Sequence, residues 1–440
     1  MSESSIQIDA TSKLTPQQKS GLNESEWKEA IKFDAMDRNW IVASFGMAIG
    51  AGIVFLPVMV GSMGLWTFLA SAVIGYPAMY LFQKLFINTL AESKKCRDYT
   101  SVISGYLGNN WGIALGVLYF VMLAIWMLVY SLAVTNDSAS YLQSFGVTEG
   151  LLSDNSFYGL LLISTLAFIG AKSEKLLFRI TGFTAVTVLA LVFIMGLMLI
   201  GMWDLDNIAP IGNLGTIFVD AIITLPFTLT SILFIQSLSP MVIAYRQRNS
   251  NIEVARFKAL RAMNISFAVL FVIVFFFAVS FTFALSQEQA YQAMEKNISA
   301  LAILGTFYGG AWVTWAGVII NIFAIVSSFM ACFIGFREAC KGIALNLLRR
   351  KMSEDDISIK AVDGGVVIFT IALCWGAVAS NAPILSFTSV CSPIFGIVGC
   401  LLPAYLVYKM PHLHHYKGTA TNIIIITGIL LCISPILAFM

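Results

Sequence analysis

Long apolar runs alternate with short polar connections along most of this chain. Eleven runs come near the length needed to cross a bilayer: Trp40–Val60, Leu65–Leu85, Trp111–Val134, Phe157–Ala171, Leu176–Ile200, Ile217–Ala244, Ile265–Leu285, Ala311–Ile334, Gly364–Ala379, Ile384–Tyr405 and Ile423–Phe439. A spanning helix needs about 20 apolar residues, so the fourth and ninth runs are short. Lipid cannot satisfy bare backbone groups, which makes helices the spanning element. A membrane barrel would need alternating segments of about 10 residues, and the sequence has none. The pattern predicts an all-α membrane protein with 11 transmembrane helices.

Composition agrees. The chain is 58% hydrophobic and 11% charged, with a mean hydropathy of +0.84. Soluble domains average about 45–50% apolar and about 25% charged. A net charge of +2 over 440 residues gives no reason to expect a nucleic-acid partner. The location of the charges says more. When crossings are counted from a cytoplasmic N-terminus, 25 of the 26 Lys and Arg residues fall on one side, and Lys296 is the exception. The positive-inside rule then puts the N-terminus in the cytoplasm and, after eleven crossings, the C-terminus outside. The opposite connections carry acids such as Asp137, Glu149, Asp204 and Glu288. Residues 1–35 are polar and mixed in charge and lack the apolar stretch of a signal peptide. They read as a short solvated tail, with an amphipathic turn at most around Trp27–Phe33.

Two runs carry residues that break helices. The first reads Gly46-Met-Ala-Ile-Gly50-Ala-Gly52-Ile-Val-Phe-Leu-Pro57. In a helix, glycine costs about 1 kcal/mol and proline about 3 kcal/mol relative to alanine. Gly46 and Gly50 have the spacing of small residues that let helices touch. The functional reading is an unwound hinge at Gly50–Gly52 whose free amides and carbonyls bind a substrate and a coupling ion. The sixth run brackets Thr230, Ser231, Gln236, Ser237 and Ser239 between Pro226 and Pro240. Interrupted helices in corresponding places of two halves point to a transporter's binding site. First and sixth correspond if a five-helix unit repeats, and an odd number of crossings makes that repeat inverted.

Polar residues in other runs add to this picture. In the eighth run Ala324, Ser327 and Ser328 share a helix face at i, i+3 and i+4, offering oxygens to a hard cation. The alternative is serines bonding back to their own helix. Tyr130, near the end of the third run, could give its hydroxyl to a substrate carboxylate or sit at the interface. The seven cysteines form no C-x-x-C pair and read as free buried thiols. His412, His414 and His415 read as solvated loop residues rather than metal ligands. No phosphate-loop motif or acid–base constellation suggests ATP hydrolysis or another enzyme activity.

Taken with Ala48-Ile-Gly-Ala-Gly-Ile-Val-Phe-Leu-Pro57, Tyr130-Ser-Leu-Ala-Val-Thr-Asn136, Ser239-Pro240, Asn297-Ile-Ser299 and Gly335-Phe-Arg-Glu338, nearly the whole chain from Trp40 resembles the hydroxy and aromatic amino acid permeases, in particular their serine and threonine branch. The resemblance implies a bacterial inner-membrane symporter that imports serine or threonine by alternating access, with an aromatic or cysteine-like amino acid as the alternative substrate. It implies the five-plus-five inverted repeat of the leucine-transporter type plus one helix. Residues 1–39 would be the tail, 40–202 and 203–408 the repeats, and 409–440 a cytoplasmic loop and the eleventh helix. Gly50, Ala51 and Gly52 would hold the substrate backbone, with Tyr130, Thr230, Ser231, Gln236 and Ser237 around it. Carbonyls of Gly46 and Ile49 would join Ala324, Ser327 and Ser328 around a cation. No cofactor and no metal beyond sodium is implied; partners are the amino acid and membrane lipid. Some proton-coupled relatives place a lysine where Ser327 stands. Its absence here leaves the coupling ion open between proton and sodium.

Overall fold

The computed structural model describes residues 14–93, 99–172, 174–307, 311–348 and 357–440. Helices dominate it, and no strand occurs among the described residues. The order is α1 Pro16–Ser20, α2 Glu24–Ala30, α3 Ala35–Ala48, α4 Ala51–Met63, α5 Leu65–Ala91, α6 Tyr99–Leu107, α7 Asn109–Ser144, α8 Ser156–Lys172, α9 Glu174–Leu199, α10 Leu214–Thr230 and α11 Ile235–Arg248. It continues with α12 Ile252–Ala284, α13 Gln287–Glu295, α14 Ala300–Phe307, α15 Ala311–Asn321, α16 Ser327–Leu348, α17 Ile359–Ala379, α18 Ile384–Phe395, α19 Leu402–Lys409 and α20 Thr419–Ala438. Eight helical segments among the described residues are long and apolar enough to cross a membrane. The apolar helices over Ser156–Ala171 and Leu214–Thr230 are shorter.

The first and sixth runs each form two helices instead of one: α3 with α4, and α10 with α11. The eighth run contains a π-helical turn at Ile322–Val326 between α15 and α16, and the tenth one at Gly396–Leu401 between α18 and α19. Such turns admit an extra residue and are frequent at functional sites. The seventh run begins earlier than its hydropathy suggests. Asn251 caps α12 by accepting from the amides of Glu253 and Val254, so the helix carries Arg256, Lys258 and Arg261 out of the apolar zone.

Aromatic residues build much of the interior. Phe68, Phe86, Phe277, Phe281, Phe329 and Phe333 are fully buried. Phe267, Phe271 and Phe275 form a stacked row on α12, against which Tyr80, Tyr76 and Phe68 of α5 pack at centroid distances of 5.1–5.5 Å. Large apolar side chains such as Val73, Ile113, Phe157, Leu161, Val272 and Ile368 point outward. That inversion of soluble practice suits lipid as the surrounding solvent.

The tail differs from the solvated segment expected. Thr15 with Gln18 and Asn23 with Glu26 form capping boxes that start α1 and α2. Trp27 is then buried edge-on against Phe257 of α12, and the Asn251 side chain donates to the Ser20 carbonyl at 2.8 Å. One well-placed indole docks the segment, while the polarity of its neighbours dominates any average over the stretch.

Candidate functional site

α3 ends at Ile49, whose extended backbone (φ −72°, ψ 109°) leaves the helix, and α4 restarts at Ala51. The break is therefore Ile49–Gly50, and Gly52 lies in the first turn of α4. Space is what requires glycine at position 50. A Cβ there would lie 2.6 Å from the Tyr130 hydroxyl and 3.0 Å from Ser328 Oγ. The backbone of the break thus rests against α7 and α16. Ser328 Oγ donates to the Ile49 carbonyl at 3.0 Å, giving a partner to an oxygen that the broken helix cannot satisfy itself.

The second break covers residues 231–234, between α10 and α11. Pro226 and Pro240 lie inside the flanking helices instead of at the break. Hydroxyls beside the interruption bond back to carbonyls of their own segments. Thr230 donates to the carbonyl of Pro226 at 2.8 Å, Ser231 to that of Thr228 at 2.6 Å and Ser237 to that of Phe234 at 2.8 Å.

The breaks border a cavity of about 150 Å³ lined by residues of α3, α7, α10, α16 and α18 and by Leu233 of the second break. Gly46, Tyr130, Thr230 and Ser328 are in its wall. Gly50 reaches it through its contacts with Tyr130 and Ser328. Ser231 and Ser237 do not line it. Ser231 faces the Tyr76 hydroxyl at 3.4 Å, and Ser237 meets Ser44 of α3 at 3.0 Å. Both stitch the broken helices to their neighbours. Ala324 is fully buried within the π turn, so the regular spacing expected between it and Ser328 does not hold there. The side chains of Ala51, Gln236 and Ser327 lie outside the described residues.

Sequence reading missed several wall residues. Trp126 stacks on Tyr130 at 5.5 Å and approaches Phe395 at 6.4 Å; Tyr119, Met122 and Cys332 continue the wall. The signal available was helical spacing: Trp126 lies four residues before Tyr130, and Cys332 four after Ser328. On α7 the wall runs from Tyr119 to Tyr130, and on α16 from Ser328 to Gly335. The cavity therefore extends from the first break toward the end of the molecule that carries the basic connections.

An ionic cluster ties that basic end together. Asp37, fully buried at the start of α3, accepts from the Tyr245 hydroxyl at 2.7 Å and from Arg261 at 2.9 Å. Lys258 bridges Asp34 at 3.0 Å and Asp37 at 3.4 Å. Burial alone would raise the Asp34 carboxyl. The hydrogen bond from Lys258 and the amides of Asp37 and Met36 hold it below the usual carboxylate range. A second cluster joins the end of α5 to the segment before α20, where Glu92 meets Arg256 at 2.8 Å, Tyr416 at 2.5 Å and His415 at 3.3 Å. His415 thus faces Glu92 while remaining exposed to solvent, as its loop position suggests.

No family model matches the chain. A serine transporter of Escherichia coli O157:H7 is 63% identical over 428 residues, 97% of each chain. The chain belongs to the serine transporter family. A probable serine transporter of E. coli strain K12 is also 63% identical over 428 residues. The serine transporter SdaC of that strain is 24% identical over 425 residues, 94% of this chain and 96% of its own. Among solved structures, the crystal structure of MhsT in complex with L-phenylalanine superposes on 91% of this chain and 96% of that chain, with a TM-score of 0.52 at 15% identity. That likeness shows the fold, the leucine-transporter type. The family places the chain among multi-pass membrane transporters, as the resemblance of its motifs implied.

Proposed function

We propose that this protein is a secondary active symporter that imports L-serine across a bacterial inner membrane by alternating access. The repeats would span residues 40–202 and 203–408, with eleven crossings, a cytoplasmic N-terminus and a periplasmic C-terminus. The observation that carries the reading is the meeting of Ile49, Gly50, Tyr130 and Ser328 at one helix break beside a small cavity. Two relatives 63% identical to the chain bear serine transporter names, which supports serine as the substrate.

The free amides at Gly50–Gly52 suit a substrate carboxylate, with the Tyr130 hydroxyl as a further donor. Thr230 offers a hydroxyl across the cavity to the substrate's own. Tyr119, Trp126, Tyr130 and Phe395 bring bulk to the wall, and the Thr230 and Ser328 hydroxyls in it suit a small polar substrate. The coupling cation would sit between Ser328 and the carbonyls of Gly46, Ile49 and Ala324. Ser328 Oγ would turn its lone pairs from their present surroundings to the ion. Substrate and ion bind the two access states unequally and so bias the exchange between them.

The test is uptake of radiolabelled L-serine into proteoliposomes under an imposed sodium or proton gradient, with Ser328→Ala beside wild type. Sodium-driven uptake that the variant loses supports the cation site. Uptake driven by protons alone removes sodium from the reading. No serine uptake under either gradient overturns the substrate assignment.

A further inference from the structure

Two stretches that stood out in the sequence, the end of Tyr130–Asn136 and Asn297-Ile-Ser299, meet at the end of the molecule away from the basic clusters. The Asn136 side chain donates to the Asn297 carbonyl at 3.4 Å. The next residue, Asp137, is fully buried and accepts from the Ser299 amide at 2.8 Å, just before α14 begins. Asn297 also reaches the α17–α18 turn. Its side-chain nitrogen donates to Asn381 Oδ1 at 3.2 Å, and its side-chain oxygen accepts from the Ile384 amide at 3.1 Å.

The backbone at both asparagines is unusual in the same way. Asn297 has φ +50° and Asn381 φ +44°, and they are the two non-glycine residues with positive φ among those described. Each closes a helix. After α13, the Asn297 amide donates to the carbonyl of Met294 and the Ile298 amide to that of Ala293. After α17, the Asn381 amide donates to Val378 and the Ala382 amide to Ala377. Both are Schellman caps, whose left-handed residue is ordinarily glycine because it has no Cβ. A cap alone therefore does not call for asparagine at either place. The bond between the two side chains does.

We infer that Asn297 is a positioning residue for transport: with Asn381 and Asn136 it locks the cover that α13 and α14 form at the end of the molecule opposite the basic clusters. The inference rests on the alternating-access reading. Asn136 lies six residues beyond Tyr130 on α7, about 9 Å along a helix, so one rigid element carries both a substrate contact and the lock. At its other end the cover is held by the Gln287 side chain, which donates to the Ser62 carbonyl of α4 at 2.7 Å. The lock's bonds exist only while the cover is down, so they favour the states closed on this face. Weakening them raises the population open to this face and lowers the apparent KM for substrate arriving there. It also slows the closing that every import cycle requires.

Three variants separate this role from a structural one. Asn297→Gly and Asn381→Gly keep each cap and remove the bonds made by the substituted side chain, while the Asn136 bond to the carbonyl of residue 297 remains. Asn381→Asp keeps the φ and the acceptor. Serine uptake into proteoliposomes gives KM and maximal rate, hydrogen exchange reads the amides of residues 297–300, and a thermal melt reads the fold. Asn297→Gly loses two side-chain hydrogen bonds and should melt near wild type, exchange faster at 297–300, and lower both KM and maximal rate by at least about two- to tenfold, the range set by the net worth of one of them. Asn381→Gly should do the same more weakly, and Asn381→Asp should behave as wild type. A fall in rate at unchanged KM, or wild-type behaviour of all three, overturns the proposal. If the wild type moves no serine, the transport reading fails by itself, while unchanged exchange at 297–300 in Asn297→Gly still overturns the lock.

Discussion

Gly50→Ala tests the site most directly. The added methyl would stand 2.6 Å from the Tyr130 hydroxyl and 3.0 Å from Ser328 Oγ, where ordinary contact begins near 3.4 Å. Relief requires a displacement of about 0.8 Å. Tyr130 is held by its stack on Trp126 at 5.5 Å and Ser328 by its bond to Ile49, so neither gives way freely. Overpacking of this kind costs about 1–3 kcal/mol. If the strain falls on the substrate-binding state, each 1.4 kcal/mol is a factor of ten in affinity. Serine uptake by Gly50→Ala should therefore fall by about 5- to 100-fold. The thermal midpoint in detergent should fall too, and here a second substitution is decisive. Removing the hydroxyl in Tyr130→Phe leaves Cζ as the nearest ring atom at an ordinary 3.4 Å. In the Gly50→Ala background it should restore more than half of the lost stability, although transport stays impaired without the hydroxyl. Additive melting shifts in the double-mutant cycle, or near-normal uptake by Gly50→Ala alone, would refute the close approach.

Other consequences are as specific. Asp37→Asn leaves Arg261 and Lys258 with a neutral partner inside the cluster, and should destabilise the fold by about 3 kcal/mol, read as a lower melting midpoint. Trp27→Ala removes the indole that docks the tail, so a protease should cut within residues 16–33 much faster than in wild type while the helices of the bundle resist. Burial would raise the Glu92 carboxyl, but the bonds from His415 and Tyr416 and the charges of His415 and Arg256 outweigh it and set it lower than the ordinary 4.5. Its contribution to stability is thus full above pH 4.5 and is lost as pH falls through the depressed value. Melting curves between pH 7 and pH 3 should show Glu92→Gln without that part of the acid decline.

Hydropathy made the long helices legible because each buries or exposes a whole apolar surface, and a 20-residue average captures that. It could not place the breaks to the residue. Three glycines and a proline mark the first interruption, but its location at Ile49–Gly50 is decided by what Tyr130 and Ser328 of other helices leave room for. The same limit explains Ser231 and Ser237. A hydroxyl at membrane depth is visible in the sequence; whether it faces a cavity or a neighbouring helix depends on rotation, and these two face Tyr76 and Ser44. The wall residues Trp126 and Cys332 were hidden for the opposite reason, since they are apolar or nearly so and look like any other interior position. Likewise Trp27 and Asp37 lie in or beside a polar tail, and only the facing surface of α12 shows what they bind.

The two ends of the molecule are built from different chemistry, and the difference bears on how they could open. At the basic end, carboxylates of residues 34 and 37 meet Lys258, Arg261 and Tyr245, and the cavity extends toward that end. Long cationic side chains keep partial contact as helices shift, and water can solvate the charges once they part, so such a tie loosens gradually. At the opposite end the ties are short and neutral for the most part: Asn136 to Asn297, Asn297 to Asn381, Ile384 to Asn297. Amide bonds of that kind are sharply distance-dependent, and they break together when the cover lifts because they converge on one residue. A cover held this way is either seated or free. The clustering of both positive-φ asparagines there has a physical cause in that requirement: each helix must stop abruptly for its cap side chain to reach the other.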